Sequence, residues 1–308
     1  MLAPEDAYMK TTCILHFDVF TSQPGKGNPA GIVLLPEGLD SNAMQAIAAS
    51  TDFNDTAFII PSEVADFGIR YFSPRKEVDL CGHATIAAAT AMRGAGLLQD
   101  SSVITFSLET KAGILPIRIE STPKGDALVI MGQAQSQFKK FNGNQNVLME
   151  VVGVSEEDIH PSLPVIYGST GRWTLIIPVR SLSAVQRMQP QTARFQEALV
   201  DMPDASIHPF CLETIGTGVH IHARHFSAPG SGTIEDPVTG TASGVLGAYY
   251  QEFICGQPRK SQPIVIEQGY EVDREGKVLV WAEKNNDNYT VRIAGSAVLA
   301  GQFVYQPA

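Results

Sequence analysis

The sequence predicts an α+β protein built as two similar lobes. Three observations predict it. Short runs of period-two hydrophobicity, separated by turn formers, recur along the chain. Each half also holds one helix made largely of small residues. Both helices are entered through Gly-polar-Ala, as Gly82-His83-Ala84 and Gly240-Thr241-Ala242. Closely spaced short strands with few long helices disfavour a doubly wound parallel sheet. Neither a Gly-x-Gly-x-x-Gly fingerprint nor a Gly-x-x-x-x-Gly-Lys-Ser/Thr phosphate loop occurs.

Residues 13–20 read as a strand and 30–35 as its hairpin partner, because Pro24-Gly25-Lys26-Gly27-Asn28-Pro29 between them is rich in turn formers. Residues 39–49 form a helix that Asp40 or Ser41 can cap, with Met44, Ile47 and Ala48 on one face. Short strands follow at 57–60 and 67–72, and Ser73-Pro74 breaks the pattern. The alanine-rich stretch 85–92 suits a helix enclosed by tightly packed sheet. Alternation returns at 103–108, 113–120 and 127–131, and the polar stretch 136–146 reads as a domain linker. The second half repeats the mixture, with strands at 163–167 and 173–178, a helix at 193–199 and strands around 216–226. A small-residue helix at 242–253 and strands at 263–267, 277–282, 289–293 and 297–305 follow. The lobes are expected at 11–135 and 136–308, the last strand being a candidate to return to the first lobe.

With 308 residues, of which 44% are hydrophobic and 18% charged, the chain can bury a sizeable core in two domains. A net charge of −10 without a basic block argues against nucleic acid as a partner. It leaves room for a small anionic ligand, because local backbone donors can outweigh a diffuse negative field. Cys13, Cys81, Cys211 and Cys255 are scattered and form no Cys-x-x-Cys pair, so a reducing cytoplasm is the simpler expectation. Residues 1–10 carry Glu5 and Asp6 and lack the apolar core of a secretory signal. No apolar run approaches the roughly 20 residues that cross a bilayer, so no membrane partner is expected.

Several residues can carry chemistry. A helix start presents unpaired N–H groups that hold an anion, and glycine permits close backbone approach. Gly82 with His83, and Gly240 with Thr241, are therefore candidate substrate contacts, one pair in each lobe. Asp55 is a turn residue or, if buried beside a substrate, a general base. His83 is a capping histidine or a donor to a ligand carboxylate, and a helix start tends to lower a histidine pKa. Cys81 is a small buried hydrophobe or a proton relay. Asp236 supports its turn or orients His83 across a cleft, and Thr241 is a cap or a carboxylate clamp. His220 and His222 place two imidazoles on one strand face and can bind a metal, with Glu235 as a third ligand. No tight motif fixes that set, and a packed strand face is the simpler reading. No metal and no cofactor are therefore assigned.

These landmarks together resemble the phenazine-biosynthesis PhzF-like isomerase family, relatives of diaminopimelate epimerase. The stretches are Asp18-Val19-Phe20-Thr21, Gly27-Asn28-Pro29-Ala30, Asn54-Asp55-Thr56-Ala57-Phe58, Arg70-Tyr71-Phe72-Ser73-Pro74 and Asp79-Leu80-Cys81-Gly82-His83-Ala84-Thr85. Ser169-Thr170-Gly171-Arg172, the Glu235-Asp236-Pro237 core of 232–242, and Glu267-Gln268-Gly269 follow in family order. The resemblance implies two lobes, each a curved, largely antiparallel sheet wrapped around a central helix, with the active site between them. It implies a cofactor-independent isomerase that shifts a proton in a small carboxylate-containing metabolite, and a homodimer. The family's catalytic glutamate falls on Asp55, its histidine on His83, its second-lobe aspartate on Asp236 and its hydroxyl beside glycine on Thr241. Asn28, in the matching Gly27-Asn28 stretch, joins the substrate contacts. Asp55 is one methylene shorter than the family's glutamate, about 1.5 Å less reach. The two-cysteine pair of the amino-acid epimerases is incomplete, since Cys81 matches the first cysteine and Thr239 stands near the second. An epimerase or racemase using Cys81, and a noncatalytic metabolite-binding protein, are the alternative readings.

Overall fold

Alternating apolar side chains turn most of the chain into strands, and the order in which these pair determines where reactive groups meet. The computed structural model describes residues 11–36, 38–99, 101–122, 125–256 and 262–306; the expectation made for residues 1–10 lies outside them. The first half runs β1 (Thr12–Val19), β2 (Asn28–Leu34), α1 (Ser41–Ala49), β3 (Asp55–Ile60), β4 (Phe67–Phe72), β5 (Glu77–Val78), α2 (Gly82–Gly94), β6 (Val103–Thr110), β7 (Gly113–Ser121) and β8 (Ala127–Gly132). The second begins with β9 (Gln137–Lys140), α3 (Gln145–Val152), β10 (Ile166–Ser169), β11 (Trp173–Pro178), α4 (Leu182–Gln186), α5 (Phe195–Ala198) and β12 (Ser206–Cys211). It ends with β13 (Ile221–Ala223), α6 (Gly240–Phe253), β14 (Ile264–Gln268), β15 (Gly276–Asn285), β16 (Asn288–Gly295) and β17 (Ala297–Tyr305).

Hydrogen bonding orders one lobe β17-β1-β2-β3-β4-β6-β7-β8, with β5 pairing at Tyr71 and Phe72 of β4 while β6 pairs at Phe67 and Gly68. The other is ordered β9-β10-β11-β12-β13-β14-β15-β16. Step for step the two lobes agree: only β2·β3 and β4·β6 are parallel in the first, and only β11·β12 and β13·β14 in the second. Parallel neighbours need a crossover. The second crossover of each lobe carries the small-residue helix, α2 or α6, along the inner face of its sheet. The flanking strands are exchanged, since β9 follows β8 yet pairs with β10, and β17 follows β16 yet pairs with β1. An antiparallel β8·β16 pair joins both lobes into one sheet.

One continuous core contains both central helices. Ala84, Ile86, Ala87, Ala88 and Ala91 of α2 and Val245, Leu246, Ala248 and Tyr249 of α6 are buried in it, and the two helices touch. The alanines of α2 and Gly247 of α6, where a Cβ would sit 2.4 Å from Val280 Cγ1, let each helix approach its sheet closely. α1 covers the outside of the first sheet through Met44, Ile47 and Ala48, and Asp40 caps it by accepting from the Ala43 N–H at 2.8 Å. The outside of the second sheet is covered by α3, α4 and α5.

Residues 18–28 seam the lobes together. Phe20 stands in the left-handed region at φ +67°, which costs an ordinary side chain roughly 1–2 kcal/mol. Its N–H donates to the Ser296 carbonyl at 2.7 Å and its carbonyl accepts from the Lys277 N–H at 2.8 Å. The ring packs where Gly240 and Gly295 leave room for it, and Gly276 makes room for its backbone and Cβ. Gly27, at φ +64°, lies so close to the Val19 carbonyl that a Cβ would sit 2.1 Å from that oxygen. Its N–H donates to the Glu275 carbonyl at 3.1 Å, and its own carbonyl accepts from Arg274 Nε at 2.9 Å. Arg274 also binds the buried Asp18 carboxylate.

Among the segments that differ from the sequence-based expectation, which include the unforeseen helices α3 and α4, two have a plain physical reason. The polar stretch 136–146 is not a plain linker: its β9 pairs with β10, with Phe138 turned onto Tyr249 and Phe253 while Gln137 and Lys139 stay exposed. β12 escapes sequence patterning because Pro209 sits inside it, and a proline argues against an interior strand. The strand is retained because Pro209 still accepts, through its carbonyl, from the Arg224 N–H at 3.0 Å.

Buried histidines give the fold a pH response. His208 and His225 face each other with their Nδ1 atoms 3.2 Å apart, and burial pushes both down, His225 to about 3. Burial also pulls on His222, but hydrogen bonds to Glu267 and Glu271 outweigh it and carry it up to about 9.

An alanine at Gly295 would place its Cβ 2.4 Å from Phe20 Cδ1. Gly295→Ala is expected to lower stability by about 1–3 kcal/mol in urea melts, and by clearly less in a Phe20→Ala background. Equal costs in both backgrounds would contradict the seam. Below about pH 6.5 the unfolded chain takes up protons that folded His208 and His225 resist, so stability should fall from there towards pH 3. The His222 contribution is complete below about pH 6.5 and is lost as pH rises through about 9. Urea midpoints across pH 4–10 should therefore peak near neutrality, and His222→Asn should flatten the alkaline limb.

Candidate active site

The first residue of β3 and the first turn of α2 lie side by side. Ala57 and Ile59 of β3 face the core that holds α2, so the alternation of the strand aims Asp55 at the same side. Cys81 is the residue before α2, and its Sγ donates to Asp55 Oδ2 at 3.2 Å. The Cys81 sulfur is 3.4 Å from His83 Nδ1, and His83 Nε2 is 3.9 Å from Asp55 Oδ2. Asp55 and His83 keep 18% and 11% of their side-chain exposure, so both remain partly open to solvent. Tyr71 and Thr85 brace the turn: their hydroxyls are 2.7 Å apart, and Thr85 Oγ1 donates to the Cys81 carbonyl at 2.7 Å.

The second lobe contributes Asp236 on the turn into α6. Asn28 Nδ2 donates to Asp236 Oδ1 at 2.7 Å and to the Val238 carbonyl at 2.9 Å, a bond from lobe to lobe. Thr239 Oγ1 donates to Asp236 Oδ2, and Gln268 Nε2 donates to the Asp236 carbonyl at 2.7 Å. Thr239 thus spends its hydroxyl on Asp236, and no side chain caps the first turn of α6. Thr170 Oγ1 holds that turn by donating to the Thr241 carbonyl at 2.9 Å. A Cβ at Gly240 would meet Ile293 at 2.7 Å, whereas one at Gly82 would have only Met131 Sδ, at 4.0 Å. Packing explains the first glycine and not the second.

The charges of both lobes are felt together. Burial pushes the Asp236 carboxyl up and the nearby Asp55 charge pushes the same way, against a positive charge on His83 and hydrogen bonds from Thr239 and Asn28. Burial, then the Asp55 charge, pushes the Cys81 thiol well up, against an opposing Ala84 N–H. In this environment Cys81 is a thiol that donates to Asp55.

The structure therefore brings Asp55, Cys81 and His83 together, with Asp236 in their field and Gly82, His83, Gly240 and Thr241 at the two helix starts. Asn28 is buried and its amide is committed to the Asp236 turn. Sequence reasoning did not foresee that Thr239, Gln268 and Asn54 join this turn; Asn54 Nδ2 lies 3.5 Å from Asp236 Oδ1. The Glu267-Gln268-Gly269 stretch was the available signal. The His220, His222 and Glu235 metal set does not assemble. Both ring nitrogens of His222 are bonded to Glu267 and Glu271, and Glu235 pairs with Arg224 at 2.9 and 2.7 Å. Asp55, Cys81 and His83 instead offer metal-ligating atoms within 4.8 Å of one another.

A family model described as phenazine biosynthesis-like protein matches residues 17–302. The Uncharacterized isomerase YfhB of Bacillus subtilis (strain 168) is 45% identical over 290 residues, covering 94% of this chain and 97% of the relative. A crystal structure of the Bacillus anthracis phenazine biosynthesis protein, PhzF family, superposes with a TM-score of 0.93 at 45% identity, over 97% of this chain and all of that one. A hydroxyproline epimerase from Agrobacterium vitis, at 11% identity and a TM-score of 0.64, covers 97% of this chain and 93% of its own and shares the fold. With this match over nearly its whole length, the chain belongs to the phenazine biosynthesis-like PhzC-PhzF family.

Proposed function

We propose that the protein is a cofactor-independent isomerase that moves a proton within a small carboxylate-bearing metabolite. The observation that carries this reading is a carboxylate, Asp55, placed beside His83 at one helix start while the second lobe holds Asp236 within the same field. Cys81 occupies Asp55 Oδ2 with a hydrogen bond, which directs the proton to Oδ1. Asp55 removes an activated proton and its protonated form returns it at another carbon. Backbone N–H groups at Gly82-His83 and Gly240-Thr241 bind the anionic oxygens, and His83 and Asp236 position the substrate and stabilise developing charge. Asn28 acts on the substrate through the Asp236 turn that it holds. Water exclusion between the lobes protects the intermediate.

An epimerase working through Cys81 is favoured by a single observation, the contact of its thiol with the proposed base. Cys81→Ser retaining full turnover would rule that reading out. The proposal extends to a cytoplasmic homodimer, for which exposed Leu299, Phe303 and Val304 give the edge strand β17 apolar surface. Light scattering should read the mass of two chains.

A screen of small carboxylates in deuterated buffer should reveal a metabolite that gains mass only with the protein present. Asp55→Asn is expected to slow that exchange by about 10²–10⁴-fold while changing binding only a few-fold. Exchange that survives the substitution would overturn the role of Asp55. Failure of every carboxylate to exchange with the unaltered protein would favour a noncatalytic binding role.

A further inference from the structure

We infer that Asp55, Cys81 and His83 form a binding site for a zinc-class divalent cation, and that the bound cation blocks proton transfer at Asp55. The blocking consequence rests on the proposed role of Asp55, whereas the binding does not. Asp55 Oδ2, Cys81 Sγ and His83 Nε2 are separated by 3.2, 3.9 and 3.9 Å. Zinc bonds of about 2.0 Å to oxygen, 2.1 Å to nitrogen and 2.3 Å to sulfur, arranged tetrahedrally, separate ligand atoms by roughly 3.3–3.6 Å. Adjustments of up to about 0.6 Å thus convert the trio into one face of a tetrahedron.

The donor types narrow the cation. A thiolate with an imidazole and a carboxylate suits zinc and its neighbours, whereas magnesium and calcium take oxygen ligands. Three protein ligands leave a fourth position for water or a ligand carboxylate. The site is also braced before any metal arrives. Asp55 begins a strand paired on both sides, and the Cys81 carbonyl is tied to Thr85 and through it to Tyr71. Among the described residues no other His, Cys, Asp or Glu trio converges in this way. The metal forms a bond to Cys81 sulfur, the S–H bond breaks and its proton leaves to solvent, with no change of oxidation state. The hydrogen bond from Cys81 to Asp55 is lost in the same event, and Asp55 becomes a ligand in place of a base.

The test titrates metal-stripped full-length protein with zinc against a chromophoric chelator, and with cobalt(II) as a spectroscopic stand-in. One zinc per chain and a thiolate-to-cobalt charge-transfer band are expected. Cys81→Ser should abolish the band, and Cys81→Ser and His83→Gln should each weaken zinc by more than about 100-fold, beyond the loss of an outer-shell partner. Cys13→Ser should change neither. Circular dichroism establishes that each variant is folded. If Cys81→Ser does not fold, His83→Gln and the cobalt band of the unaltered protein decide the matter. Affinity weaker than about 10 μM, or zinc binding that Cys81→Ser and His83→Gln leave intact, overturns the site. Zinc failing to bind while Asp55→Asn still stops deuterium exchange defeats only the cation site. Zinc binding by a protein that shows no exchange even when metal-free defeats only the isomerase.

Discussion

The hydrogen bond from Asn28 to Asp236 is the constraint on which the candidate site depends. It ties the first residue of β2 to the acid of the opposite lobe, and it is itself held by the seam that precedes it. The left-handed Phe20, the tight turn at Gly27 and the grip of Arg274 on Asp18 and Gly27 carry the chain across to the second lobe at the right height. A buried carboxylate with no such donors would be costly to keep ionised. The amide of Asn28 and the hydroxyl of Thr239 offset part of the burial that pushes the Asp236 carboxyl up, and they fix its position close to Asp55.

The two lobes repeat the same strand order, yet their helix starts have diverged in chemistry. Cys81-Gly82-His83 precedes α2 where Thr239-Gly240-Thr241 precedes α6. One side keeps a thiol and an imidazole against a carboxylate; the other keeps hydroxyls, backbone donors and a buffered acid. A symmetric frame thus carries chemically different groups at its two helix starts.

Much of this was legible in the sequence, for reasons that differ by element. The helix starts announced themselves through glycine, small residues and a polar neighbour, which is local information. The cap of α1 by Asp40 and the burial of Met44, Ile47 and Ala48 followed from spacing alone. β12 did not, because Pro209 obeys a local rule that tertiary pairing overrides. The clamps on Asp236 were hidden for another reason. Gln268 and Asn28 lie far from it in sequence, and only the folded sheet brings them together. The metal-like arrangement of Asp55, Cys81 and His83 was obscured because Asp55 is remote from the Cys-Gly-His turn it faces.

The exchanged flanking strands have a consequence for how the chain is made. During synthesis, β2 can pair with β1 as soon as both have emerged, but the other edge of β1 waits for residues 297–305. The second lobe receives its outer strand early, because β9 leaves the ribosome before β10. The lobe translated first is therefore completed last, and its exposed edge is a natural point for chaperone engagement on the nascent chain.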